Sequence, residues 1–194
     1  MKSLLILIFA YLLGSLPTAY IVARYKGFDI RRRGSGNIGT TNAFRTMGTG
    51  PGLLVFAVDV LKGLVPVLVG RAAGGDWLAG LAGLVAMAGH SWSVFLSFQG
   101  GRGVATAAGV FLGLAPGVLF WASLLWLAVL FTTRYVSLSS MAAAASAPFL
   151  VLLLGLRWSH FFFALAAAAL IIYRHTPNIK RLLAGTEPRI GERR

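Results

Sequence analysis

The fold turns on residues 103–133, GVATAAGVFLGLAPGVLFWASLLWLAVLFTT, a run of 31 residues that holds no Asp, Glu, Lys or Arg. A membrane helix needs about 20 mostly apolar residues. The run therefore reads either as one long tilted helix or as two helices broken at Ala115-Pro116-Gly117. The choice reaches beyond this segment, because each additional crossing moves every later loop to the opposite side of the membrane.

Further uncharged runs cover 3–23, 77–101 and 135–156, with shorter ones at 158–173 and 46–58; the last continues across Asp59 and Lys62 into apolar 63–70. Helices are expected near 3–23, 52–70, 77–98, 104–115, 117–133, 136–156 and 158–173. With the break in place, 14 of the 18 Lys and Arg residues fall on one side: segment 24–50, Arg102, Arg134 and the tail from Arg174. Lys2, Arg71 and Arg157 fall on the other, and Lys62 stays inside a helix. Fusing the two helices turns the split into 8 against 9. Cytoplasmic loops carry the excess of Lys and Arg, so the charge favours the break. The expected fold is an all-α polytopic membrane protein, one domain over 1–194, with seven transmembrane helices, the N-terminus outside and the C-terminus cytoplasmic. The helix at 104–115 covers only about 18 Å at 1.5 Å per residue, which makes it short, tilted or partly re-entrant.

Composition agrees. Hydrophobic residues make up 57% and charged residues 12%, half the roughly 25% of a soluble domain. Disorder is excluded by the same figures. The absence of cysteine excludes disulfides, thiolate zinc sites and thiol chemistry. The first apolar run looks like a secretory signal, with Lys2 before it and small residues near 15–19. Its length and the basic loop after it favour an uncleaved helix instead.

The outer loops are short and almost blank, whereas the cytoplasmic side carries four polar groups of residues that topology brings to one membrane face. The first is Arg33-Gly34-Ser35-Gly36-Asn37-Ile38-Gly39-Thr40-Thr41-Asn42-Ala43-Phe44-Arg45. Glycines let backbone N–H groups curl around an anion, and Ser, Thr and Asn add neutral donors. If the chain is helical after Asn37, then Thr41, Asn42 and Arg45 lie close to one face. The second is Gln99-Gly100-Gly101-Arg102-Gly103-Val104-Ala105-Thr106, a glycine-rich basic turn entering a helix and suited to phosphate. It lacks the spacing of a Walker A loop. The third is Tyr173-Arg174-His175-Thr176-Pro177-Asn178, where Pro177 opens a surface helix carrying Lys180 and Arg181. His175 and Asn178 are candidate site residues there. The fourth comprises polar groups within spans: Asp59, Lys62, His90, Ser137, Ser139 and Ser140. Intramembrane charge is costly and is therefore paired or functional; Asp59 and Lys62, three apart, also fit a structural ion pair.

The carboxylates are Asp29, Asp59, Asp76, Glu187 and Glu192, too scattered for a two-metal site. No His is followed by the x4-Asp spacing of an acyltransferase dyad. These features point to small phosphate compounds beside the inner leaflet, with no metal, no cofactor and no nucleic acid. A transporter of a phosphorylated solute would use similar groups, but would carry them to the midplane on repeat-related broken helices.

At Gly34-Ser35-Gly36-Asn37-Ile38-Gly39-Thr40-Thr41-Asn42, at Gly100-Gly101-Arg102-Gly103-Val104-Ala105-Thr106, and at Tyr173-Arg174-His175 with Asn178 and Arg181-Leu182-Leu183, the sequence resembles the bacterial acyl-phosphate-dependent glycerol-3-phosphate acyltransferase family. The likeness covers nearly the whole chain. It departs at Thr40, where the family usually has Ala, and at Arg102, where it usually has Lys. The resemblance implies acyl transfer from acyl phosphate to the sn-1 hydroxyl of glycerol 3-phosphate in phospholipid biosynthesis. The products would be 1-acylglycerol 3-phosphate (lysophosphatidate) and phosphate, released in a bacterial inner membrane with the site facing the cytoplasm. Ser35, Asn37, Thr41, Asn42 and Arg45 would serve one phosphate, and Gly100, Gly101, Arg102 and Gly103 with Ser137 the other. Which phosphate belongs to which segment stays open. The hydroxyl proton would pass to His175, with Asn178 positioning it or a substrate oxygen, or to the donor's own phosphate. Asp59, Lys62 and His90 would support.

Overall fold

The computed structural model describes residues 1–191; Glu192, Arg193 and Arg194, which entered the residue counts above, lie outside the described residues. The described chain is helical and contains no strand. It forms two compact units, Met1–Leu114 and a second beginning at Ala115.

In the first unit, helix α1 (Lys2–Ser15) is followed by α2 (Thr18–Tyr25). The single helix expected over 3–23 is thus broken at Leu16-Pro17, because proline lacks the N–H that the helix would use and clashes with the preceding turn. A loop with a 3₁₀ turn at Ile30–Arg32 leads to α3 (Thr40–Met47). Helix α4 (Thr49–Ser91) is interrupted at Gly74 and Gly75. Gly75 takes φ +69, a left-handed value that a side chain would disfavour. The arms 49–73 and 76–91 fold back on each other, so closely that a Cβ on Gly70 would strike Leu78 and Ala79. The second arm ends at Ser91 rather than 98, and Trp92–Phe98 forms a turn with left-handed φ at Ser97 and Phe98. Helix α5 (Val104–Leu114) follows.

Glycine sets these helix spacings. A Cβ on Gly14 would run into the Ala86 backbone, and one on Gly89 into Tyr11 and Ser15, which seats α1 on the second arm of α4. Gly63 lies against the Thr106 carbonyl and Gly109 against that of Val60, which seats α5 on the first arm. Between membrane helices close backbone approach supplies the association that hydrophobicity cannot.

The second unit contains α6 (Pro116–Thr133), α7 (Val136–Leu153), α8 (Trp158–Arg174) and α9 (Thr176–Leu183). The chain does break at Ala115-Pro116, with proline at the first turn of α6, where its missing N–H costs nothing. Helix α7 packs between α6 and α8. Phe120, Trp121, Phe131, Phe149 and Leu153 point outward, as expected of side chains whose solvent is lipid.

Four stretches are long and apolar enough to cross a membrane: Lys2–Tyr25, Thr49–Leu96, Pro116–Thr133 and Val136–Leu153. Val104–Leu114 and Trp158–Arg174 are shorter apolar helices. The protein is a multi-pass membrane protein.

Candidate active site

In the first unit the glycine-rich loop before α3 is built around one side chain. Asn42 is 1% exposed. Its Oδ1 accepts from the Ser35 N–H at 3.0 Å, and its Nδ2 lies 3.0 Å from the Arg33 carbonyl and 2.9 Å from that of Asn37. The loop therefore curls round the amide, turning through left-handed glycines at Gly34 and Gly36. This corrects the expected face. Successive helical residues diverge by about 100°, so Asn42 turns inward while Thr41 and Arg45 stay exposed together. Asn42 shapes the loop, and its amide is committed to the backbone. Ser35 is exposed and Asn37 half-buried. Ile30 and Ile38 anchor the loop from below, packed with Ala19, Ala23, Ala43, Val55 and Leu96.

Two other loop cations are occupied. Arg31 reaches Asp29 at 2.7 Å and lies over the Tyr20 ring, and Arg33 lies over Phe28. The hydrogen bonds from Arg31 hold the Asp29 carboxyl at about 2.

Beneath this loop the expected supporting residues converge. Lys62 Nζ lies 2.9 Å from Asp59 Oδ1 and donates to the Leu16 carbonyl at 2.8 Å, at the break between α1 and α2. His90 Nδ1 is 4.0 Å from the same carboxylate oxygen. Thr40 Oγ1 donates to Asp59 Oδ2 at 3.3 Å. The Gly-Gly-Arg-Gly turn sits on His90: the Gly101 N–H donates to the His90 carbonyl at 3.0 Å, and a Cβ on Gly101 would collide with the imidazole. Gly103 takes φ +76 and its carbonyl accepts from Ala107 at 2.7 Å, opening α5 with half-buried Arg102 just before it.

In the second unit His175 is 2% exposed at the junction of α8 and α9. Its Nδ1 lies 2.7 Å from the Ile171 carbonyl. A carbonyl only accepts, so the neutral ring carries its proton on Nδ1. Asn178, 1% exposed, donates from Nδ2 to Glu187 Oε1 at 2.6 Å, and Arg181 Nε meets Glu187 Oε2 at 2.7 Å. Burial raises the Glu187 pKa, but the neighbouring Ser137 hydroxyl, the Asn178 amide and the Arg181 guanidinium outweigh it and leave the carboxyl below its ordinary value. Ser137, expected to join the Gly100–Gly103 segment, stands beside Glu187. Ser139 and Ser140 bond back to carbonyls of their own helix.

Glu187 is the residue that sequence reasoning passed over. It was read as one of several scattered carboxylates. Its distance of nine positions from Asn178 crosses the end of α9 and a left-handed Gly185, so no helical spacing signals the contact. The Asn178, Arg181, Gly185 and Glu187 order was the signal available.

The model of a family described as glycerol-3-phosphate acyltransferase matches residues 4–185. A glycerol-3-phosphate acyltransferase 2 of Moorella thermoacetica is 63% identical over 191 residues, with 98% of each chain covered. A glycerol-3-phosphate acyltransferase of Desulforudis audaxviator is 50% identical over 192 residues, covering 98% of this chain and 97% of its own. Among solved structures, the glycerol 3-phosphate form of PlsY (YgiH), an integral membrane glycerol 3-phosphate acyltransferase, superposes with a TM-score of 0.95 at 44% identity, covering 98% of this chain and 96% of that one. Its lysophosphatidic acid form gives 0.93 at 43% with the same coverage.

Proposed function

The chain belongs to the glycerol-3-phosphate acyltransferase family and is a membrane acyltransferase, and from this premise we propose that it moves an acyl group from acyl phosphate to the sn-1 hydroxyl of glycerol 3-phosphate. The hydroxyl oxygen attacks the acyl carbon, the bond from that carbon to the phosphate oxygen breaks, and phosphate leaves with the electron pair. The products are 1-acylglycerol 3-phosphate and phosphate. The observation that carries the reading is the likeness to one protein solved in both a glycerol 3-phosphate and a lysophosphatidic acid form, the acceptor and the product of this reaction.

An acyl phosphate is already a mixed anhydride, so the protein's task is to orient the reactants and neutralise developing charge. Ser35, Asn37, Thr41 and Arg45 bind one phosphate on the loop that Asn42 shapes. Gly100, Gly101, Arg102 and Gly103 cradle the other, and Arg102 acts on glycerol 3-phosphate. Arginine in this position favours bidentate contact with phosphate. His175, oriented through Nδ1, takes the hydroxyl proton at Nε2. Asn178 positions a substrate oxygen, and Ser137 supports it through Glu187. The domain is the whole chain, supported by a family match that runs across both units.

The topology belongs to the same proposal: seven crossings in a bacterial inner membrane, the N-terminus outside and the site facing the cytoplasm. It is supported by the breaks at Gly74-Gly75 and Ala115-Pro116 and by the loop charge, which seven crossings would divide 14 against 3. The test is purified protein with acyl phosphate and labelled glycerol 3-phosphate, scored for 1-acylglycerol 3-phosphate, with acyl-CoA as the alternative donor. Product from acyl phosphate alone is expected. Absence of product, with uptake of glycerol 3-phosphate into sealed vesicles, would overturn the reading.

A further inference from the structure

A buried ion pair in the first unit reaches toward both of its glycine-rich segments. Asp59 and Lys62 are 2% and 3% exposed and 2.9 Å apart. A pair serving packing alone is a poor device, since apolar side chains of similar volume are often as stable or more so. This pair has outward connections instead. Asp59 Oδ2 accepts from Thr40 at the first position of α3, one residue before Thr41. Asp59 Oδ1 faces the His90 imidazole at 4.0 Å, and His90 holds Gly101, one residue before Arg102, by the carbonyl contact and by the ring against its Cα. Lys62 balances the carboxylate and bonds to Leu16 O, tying the group to the break between α1 and α2. The two segments are about 60 residues apart in sequence, yet one bonds Asp59 directly and the other rests on His90, which faces the same carboxylate.

We propose that Asp59 is a positioning residue that sets both phosphate segments at once, the α3 end through Thr40 and the Gly100–Gly103 turn through His90. It touches no substrate. Resting on the acyltransferase reading above, this predicts that small changes at either connection alter the binding of both substrates before they alter stability.

Asp59→Asn alone is a poor test, because it leaves Lys62 charged and buried without its counterion. Thr40→Val removes only the hydrogen bond. We expect it to raise KM for acyl phosphate and for glycerol 3-phosphate about fivefold, the worth of one ordinary hydrogen bond, with kcat within about twofold and an unchanged melting temperature. Thr40→Ser should restore KM. His90→Gln should raise KM in the same sense, and the double variant Thr40→Val/His90→Gln should raise it by less than the product of the two, since both act through one group. Independent multiplication of the two effects, or a lowered melting temperature at wild-type KM, would overturn the inference. Failure of the unaltered chain to make product from acyl phosphate would sink the acyltransferase reading instead.

Discussion

His175, the proposed base, is oriented by a backbone carbonyl. Its Nδ1 lies 2.7 Å from the Ile171 carbonyl one turn earlier, which fixes the ring and its tautomer as an aspartate would, without adding charge. If Nε2 takes the hydroxyl proton, His175→Gln lowers kcat by about 100-fold with KM for glycerol 3-phosphate nearly unchanged. Retention of most of the kcat would assign the proton to the donor's phosphate. Arg102→Ala should raise KM for glycerol 3-phosphate by about tenfold, the loss of a charge-assisted hydrogen bond, and unchanged kinetics would make it a topology residue only. Asn42 shows where residue-level reading stopped. Its type and position suggested a ligand, yet four backbone groups within reach of its amide make it the centre of the loop, and only the loop's path reveals that.

Two elements carry separate predictions. The segment after α9 returns to the unit through Glu187 and through the Ile190 N–H, which donates to the Arg134 carbonyl at 2.9 Å, with Arg189 over Tyr135. The Glu187 pKa lies below its ordinary 4.5. The docking thus contributes stability above that value and loses it as pH falls through the lowered one. Amide exchange over 186–191, corrected for its intrinsic pH dependence, should therefore accelerate on acidification. Glu187→Gln should accelerate it at neutral pH, costing about 2 kcal/mol for the hydrogen bonds to a charged group. Helix spacing supplies the other test. A Cβ on Gly109 would strike the Val60 carbonyl, whereas Gly50 has open space. Gly109→Ala should lower the melting temperature, at a cost of about 1–3 kcal/mol of overpacking, while Gly50→Ala leaves it unchanged.

For the molecule as a whole, the absence of cysteine allows single introduced thiols to report sidedness. With seven crossings, Leu156→Cys is labelled from outside and Ala184→Cys only from the cytoplasm; fusing the crossings at Ala115 reverses both. The helical, membrane-embedded character and the break at Ala115-Pro116 were legible from sequence, because hydropathy and loop charge are sums over contiguous residues. The same local sums placed the polar segments in order along the chain. They missed the break at Leu16-Pro17 and the early end at Ser91, where a proline and a turn with left-handed φ at Ser97 and Phe98 override an apolar run. They paired Asp59 with Lys62 by spacing but left His90 and Thr40 apart from that pair, and passed over Glu187. Those residues are joined only by packing: glycine-mediated approach of α1, the two arms of α4 and α5 brings the first four to one carboxylate, and a reversal at Gly185 returns Glu187 to Asn178. Sequence alone determined the solvent and the chemical class of the site, since both follow from residue type and order. Tertiary structure alone decided which of these side chains turn outward and which are committed to the backbone or to one another, since that depends on distances between residues far apart in the chain.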